Sequence, residues 1–117
     1  MRYNFEKLEI WQLGMKIVQK TYAITRKFPK EELFGLTSQM RRAAVSIPLN
    51  IAEGSAKQSR KEVAVFLRTA IASALELITA SRIAEQEKFA VPSEFRELND
   101  LLQEEYFKII AFEKKLR

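Results

Sequence analysis

Polar side chains recur at spacings of three and four between residues 39 and 53, which aligns them along one side of a helix. Arg42 and Glu53 contribute opposite charges, and the amide side chains between them could bridge the two in one hydrogen-bonded network or around a ligand. A solvated helix flank is the simpler interpretation, which composition alone favours. This polar stripe consists of Gln39, Arg42, Ser46, Asn50 and Glu53.

A second stripe is basic and lies in the first helical segment. Lys16, Lys20 and Lys27 project within about 40° of one another on a helix. Residues 1–30 hold seven basic and two acidic side chains, whereas the rest of the chain has thirteen of each, so this segment carries the whole net charge of +5. We expect the stripe to contact RNA or DNA phosphates with little sequence preference and strong salt dependence. The alternative is a solvated helix face.

The composition excludes most catalytic chemistry. The 117 residues include no Cys and no His, so a disulfide, a thiolate nucleophile, an imidazole base and a Cys/His zinc site are all excluded. Glu53 with Arg42, or Glu62 with Glu76, could form acid–base pairs, but carboxylates on helices usually face solvent or cap helix ends. We therefore expect no catalytic residue, no metal, no cofactor and no enzymatic activity.

Hydrophobic periodicity of about 3.6 residues runs through nearly the whole chain and predicts an all-α fold in one domain, residues 1–117. Ser59 followed by Glu62 is a capping-box pattern at the start of the third helix, and Ser93 is the expected cap of the fourth. Short connections favour an antiparallel, up-down-up-down four-helix bundle. The predicted helices cover approximately residues 5–27, 36–54, 59–88 and 95–115.

Two residues of the second predicted helix affect its backbone. Pro48 removes one hydrogen bond inside the helix, so we expect a kink near residues 44–46, with Ser46 satisfying a freed group. Gly54 is expected to end the helix in a left-handed turn, which a residue without a side chain adopts readily.

The first predicted helix carries two apolar seams about 150° apart. One bundle core cannot cover both seams, so we expect the second to form the interface of a homo-oligomer. The alternative is that it packs against a third neighbour within the monomer. The first seam contains Leu8, Trp11, Met15, Val18 and Tyr22, and the second contains Ile10, Leu13, Ile17 and Ile24.

The first fourteen residues carry charges throughout and contain no apolar run long enough for a signal peptide or a membrane span. We therefore expect a cytoplasmic protein. A membrane partner is not expected either, because the first helix has apolar residues on opposing sides and cannot lie flat on lipid.

The segment FGLTSQMRRAAVSIPLNIAEG, residues 34–54, resembles the signature of the 23S rRNA intervening-sequence protein family. The recognisable core of that signature is LTSQxRRAAxSIPxNIAEG. The resemblance covers nearly the whole chain and is weakest in the fourth helix. Positions outside the segment that fit the family pattern are Phe5, Leu8, Trp11, Phe28, Pro29, Phe66, Leu67, Ser73, Glu76 and Leu77.

This resemblance implies a four-helix bundle of bacterial origin that forms pentameric, barrel-like homo-oligomers. The chain is also similar to the accessory protein of diversity-generating retroelements, a basic bundle that binds nucleic acid and a reverse transcriptase. We therefore expect a non-enzymatic homo-oligomer that binds RNA or DNA weakly and non-specifically through a basic face. The alternative is a protein–protein scaffold or assembly factor that does not bind nucleic acid.

Overall fold

A computed structural model describes residues 2–117, and within that range the protein is entirely helical, with no strand. The four main helices pack side by side, each against the next in the chain, and the first also packs against the last. Short helical turns precede the first and second of them. In chain order the elements are a 3₁₀ turn Asn4–Lys7, α1 Glu9–Thr25, a 3₁₀ turn Lys30–Glu32, a π-type turn Leu33–Thr37, α2 Ser38–Ser55, α3 Arg60–Gln86 and α4 Pro92–Lys114.

The core lies between the four helices and is built differently on each. α1, α2 and α4 contribute large aliphatic side chains, whereas α3 contributes mostly alanines. Small side chains allow neighbouring helix axes to approach closely, and α3 lies between two helices that supply bulk. Fully buried positions include Ile17, Ile24, Met40, Ile47, Ala70, Ala74, Leu77, Leu98, Leu102 and Ile109.

The second seam of α1 lies inside the monomer, so its interpretation as an oligomer interface is wrong. Both α2 and α4 contact α1, and together they cover two sides of that helix. The first seam lies nearer the edge of the core, where Met15 is exposed and the other members are half-buried. The buried residues of the second seam are Ile10, Leu13, Ile17 and Ile24.

Helix starts follow the sequence signals only in part. Ser59 is confirmed as the N-cap of α3, because the Glu62 backbone N–H donates to its hydroxyl at 3.1 Å. The Glu62 carboxylate accepts from the Ser59 hydroxyl at 3.0 Å, whereas a full capping box would have it accept from the Ser59 backbone N–H. The prediction of Ser93 as the α4 cap is wrong, because Ser93 already lies inside the helix, which begins at Pro92 with Val91 in extended conformation before it. Proline suits the first helical position, where no backbone donor is needed.

Pro48 and Gly54 both serve close packing. α2 continues unbroken past Pro48, whose ring packs against α1 at Gly14, where an added Cβ would lie 3.3 Å from the Pro48 Cβ. Gly54 does not adopt the expected left-handed turn, since no described glycine has a positive φ. It is buried within the helix, and a Cβ there would lie 2.8 Å from the Cβ of Phe66 on α3.

Among the described residues, α3 is the one helix long and apolar enough, by length and composition, to cross a membrane. Its most apolar window of 18 residues has a mean hydropathy of 1.7, and 39% of that window is buried inside the bundle. A core helix of a bundle meets the same two criteria, so this property alone does not identify a membrane span.

Gly54→Ala is expected to lower the free energy of unfolding by about 1–3 kcal/mol, because the new methyl group overlaps Phe66 and α2 must move away from α3. Inside a helix Ala is otherwise favoured over Gly by about 1 kcal/mol, so the sign of the change identifies the packing effect. Urea unfolding followed by circular dichroism measures it. Ser55→Ala, at the exposed neighbouring position, is the control, and a stability gain from Gly54→Ala would contradict the packing argument.

Candidate functional site

The predicted lysine stripe is largely neutralised by α4. Lys20 forms an ion pair with Glu97, and Lys27 Nζ lies 2.7 Å from Glu94 Oε2. The hydrogen bond and the charge of Lys20 hold the pKa of Glu97 below its usual range. Lys16 is exposed and has no ionic or hydrogen-bonding partner within residues 2–117. Only one of the three lysines therefore presents an uncompensated charge.

The predicted polar stripe of α2 divides into two parts. The Asn50 amide donates to the Ser46 hydroxyl at 2.9 Å, that hydroxyl lies 2.8 Å from the Ser73 hydroxyl on α3, and Ser73 donates to the Thr69 carbonyl at 3.0 Å. This chain of hydrogen bonds links α2 to α3. The other three members are exposed and form no side-chain hydrogen bond in the described part of the chain: Gln39, Arg42 and Glu53.

An apolar groove lies between α1, the turn before α2 and α2 itself, and we call it the Phe34 groove. It encloses about 540 Å³. The Phe34 side chain stands at its edge and is 94% exposed. The lining includes two arginines and no carboxylate: Tyr22, Leu33, Phe34, Thr37, Ser38, Arg41, Arg42, Val45, Ser46 and Leu49.

The turn that exposes Phe34 is fixed by a hydrogen bond to Glu32 at its start and by the burial of Thr37 at its end. Gly35 has a non-helical backbone (φ −112°, ψ −112°), and the Glu32 carboxylate accepts the Leu36 backbone N–H at 3.2 Å. Thr37 is buried. With the turn held in this way, Phe34 points away from the core.

Arg41 forms the floor of the groove. Its Nε donates to the Thr25 hydroxyl at 2.9 Å, and its guanidinium lies 4.7 Å from the centre of the Tyr22 ring. A neighbouring depression continues from Arg41 past Arg26 and Lys30, and neither of these last two forms an ion pair within residues 2–117. One end of the groove is therefore positively charged and the rest is apolar.

Sequence analysis missed Glu105, the one fully buried carboxyl of the described core without a hydrogen-bond partner. Burial raises its pKa to about 8, the negative charge of Glu104 adds to the rise, and Lys108 opposes it. Gly14 on α1 leaves room for the carboxyl because it has no side chain. A Cβ at this position would lie 3.1 Å from Glu105 Oε2. In the sequence, the feature that could have indicated this buried carboxyl is Gly14, a glycine inside an apolar helical segment.

Glu113, the other buried carboxylate of α4, is fully paired. Its oxygens lie 2.9 Å from guanidinium nitrogens of both Arg117 and Arg68. The hydrogen bond from Arg117 is the main reason that the pKa of Glu113 lies below its usual range. The Glu113 carboxylate therefore links the end of α4 to Arg68 of α3. The Glu105 carboxyl has no arginine or other hydrogen-bond partner among the described residues.

Comparisons with known proteins agree with the sequence resemblance. A family model described as 23S rRNA-intervening sequence protein matches residues 6–111. No curated protein matches the chain. A solved structure of a protein of unknown function from the S23 ribosomal protein family of Bacteroides thetaiotaomicron VPI-5482 is similar, with a TM-score of 0.83 and 18% sequence identity, over 90% of this chain and 98% of that chain. At that identity the structural likeness shows the fold alone.

Glu105 is expected to make stability fall as pH rises. Between the unfolded carboxyl pKa of 4.5 and the folded pKa of about 8 the folded state holds one proton more, so the free energy of unfolding decreases by about 1.4 kcal/mol per pH unit. Glu105→Gln should remove this contribution. Its free energy of unfolding should therefore rise relative to that of wild type as the pH goes from 5 to 8. Urea unfolding at both values measures the difference. Glu85→Gln controls for loss of an exposed carboxylate, and a difference independent of pH would contradict this role of Glu105.

Proposed function

Because this chain belongs to the 23S rRNA-intervening sequence protein family, we propose that it is a non-enzymatic, up-down-up-down four-helix bundle that assembles with copies of itself. The bacterial cytoplasm is the location that the family resemblance and the charged first segment favour. A pentamer is the assembly that the same resemblance favours. Nucleic acid is a second proposed partner.

The direction of neighbouring helices is supported by their ion pairs. Glu9, near the start of α1, pairs with Lys108 near the end of α4. Lys27, just beyond the end of α1, pairs with Glu94 near the start of α4. Residue numbers therefore fall along α4 as they rise along α1, and the two α2–α3 contacts described above run in the same opposed sense. This pattern supports the antiparallel topology.

The proposal of self-assembly rests on one observation, which is the exposed Phe34 side chain beside an apolar groove. An aromatic side chain offers about 150–250 Å² for burial, and monomeric proteins rarely expose contiguous apolar patches larger than roughly a few hundred Å² unless the patch binds a partner. Leu33 and Leu49, half-exposed on the same groove, enlarge the patch. Burying these side chains against another copy gives a favourable contribution that the isolated monomer lacks.

Phe34→Asp is expected to dissociate the assembly without unfolding the bundle, because the side chain makes almost no contact within the monomer. Size-exclusion chromatography with light scattering should report a multimer for wild type and a monomer for the variant. Phe107→Asp, at an exposed aromatic on α4, is the matched control and should remain a multimer. A monomeric wild type would refute self-assembly, and a multimeric Phe34→Asp variant would exclude the groove.

Binding of RNA or DNA is a second function that the charge distribution favours. The net charge is +5, and α4 neutralises Lys20 and Lys27. Arg26 and Lys30, which line the depression beside the groove, carry no ion pair within residues 2–117 and lie on the same basic segment as Lys16. Phosphate contacts from these side chains would be weakly specific and would be lost at high salt.

Arg26→Glu combined with Lys30→Glu is expected to weaken binding of fluorescent RNA or DNA at least tenfold at low salt, since about two phosphate contacts per copy are lost. Fluorescence anisotropy titrations at low and physiological salt measure the affinity and its salt dependence. Lys114→Glu with Lys115→Glu makes the same change of charge at the end of α4 and is the control. Absence of salt-sensitive binding by wild type would favour the protein scaffold instead.

A further inference from the structure

α3 exposes a stripe of valine, threonine, alanine and isoleucine side chains, with one glutamate, on the side that faces away from the core. At 1.5 Å per residue the stripe extends about 27 Å along the helix. Val65 and Ile83, at its two ends, are half-exposed, and Glu76 is the one charged residue within it. We call this the α3 face, and it consists of Val65, Thr69, Ala72, Glu76, Thr79 and Ile83.

We propose that the Phe34 groove of one copy binds the α3 face of a second copy, head to tail. The inference rests on the proposed self-assembly and specifies which two surfaces meet. Both surfaces are exposed in the monomer, and they lie on different helices.

Charge selects this pairing over the symmetric ones. The groove contains Arg42, which is exposed, and no carboxylate. The α3 face contains Glu76, which has no hydrogen-bond or ion-pair partner within residues 2–117. At the edge of this face, Arg68 is already paired with Glu113. In the head-to-tail contact, Arg42 of one copy and Glu76 of the next compensate each other.

Both symmetric contacts bring like charges together. A two-fold contact between grooves brings the Arg42 side chains of both copies into one interface that has no carboxylate from either groove. A two-fold contact between α3 faces crosses near the middle of the stripe, and Glu76 lies within two residues of that middle, so the two carboxylates approach each other. Juxtaposed like charges oppose association, and each symmetric contact also leaves the other apolar surface uncovered.

The size of the side chains favours the same contact. The groove is concave and carries the projecting Phe34 at its edge. The middle of the α3 face has small side chains at Thr69, Ala72 and Thr79, which let a second helix approach closely. Because a head-to-tail contact leaves one groove and one α3 face free at the ends of any open assembly, further copies add until a ring closes, or a filament grows where the rotation between copies does not close.

The cysteine-free sequence allows a direct test, because each engineered thiol is unique. A short bismaleimide is applied to Val45→Cys in the groove, Ala72→Cys on the α3 face, and the variant with both changes. Head-to-tail contact predicts a covalent ladder from the double variant, a dimer from the mixed single variants and no product from either single variant alone. Val45→Cys combined with Val91→Cys, at an exposed site between α3 and α4, is the control and should give no ladder.

A charge exchange supplies an independent measurement. Arg42→Glu and Glu76→Arg should each weaken assembly at least tenfold by light scattering, and the variant with both changes should recover to within threefold of wild type. A multimeric wild type whose single-cysteine variants cross-link to themselves would overturn the head-to-tail contact while leaving self-assembly intact. A monomeric wild type would overturn the proposed function itself. If all the charge variants assemble as strongly as wild type, the Arg42–Glu76 contact is excluded.

Discussion

The close approach of α2 to α3 is the constraint on which the rest of the molecule depends. It requires Gly54 opposite Phe66, alanines along the inner side of α3, and hydroxyls at Ser46 and Ser73 that meet at 2.8 Å. Together these small groups bring the helices into contact and satisfy the polar atoms between them. The facing sides of the two helices are thereby buried against each other, and the Phe34 groove and the α3 face lie on sides that remain exposed.

Periodicity, composition and the resemblance of residues 34–54 were sufficient to predict four helices, Ser59 as the N-cap of α3, and the family. These features depend on local sequence, since an N-cap and the backbone N–H that it accepts lie within four residues. The placement of the second α1 seam was not predictable in this way, because it depends on how many neighbours cover the helix. Ser93 failed as a cap for a local reason, since Pro92 already starts the helix and does not need a capping acceptor.

The candidate site was predicted less well than the fold, and the reason is long-range pairing. The lysine stripe was correctly aligned on α1, yet Lys20 and Lys27 pair with carboxylates about seventy residues later in the chain. The polar stripe of α2 contributes Ser46 and Asn50 to a link with α3, which no pattern within α2 contains. Phe34 belonged to the recognised motif, but its exposure follows from the tertiary arrangement around the turn.

The buried carboxyl of Glu105 gives the folded protein a proton that the unfolded chain does not retain at neutral pH. Unfolding near pH 7 therefore releases that proton to the buffer. The apparent heat of unfolding then includes the heat of buffer protonation, so calorimetry in phosphate and in an amine buffer would give different enthalpies for the same transition. Thermal data on this fold are comparable between solutions only when the buffer's own ionisation heat is taken into account.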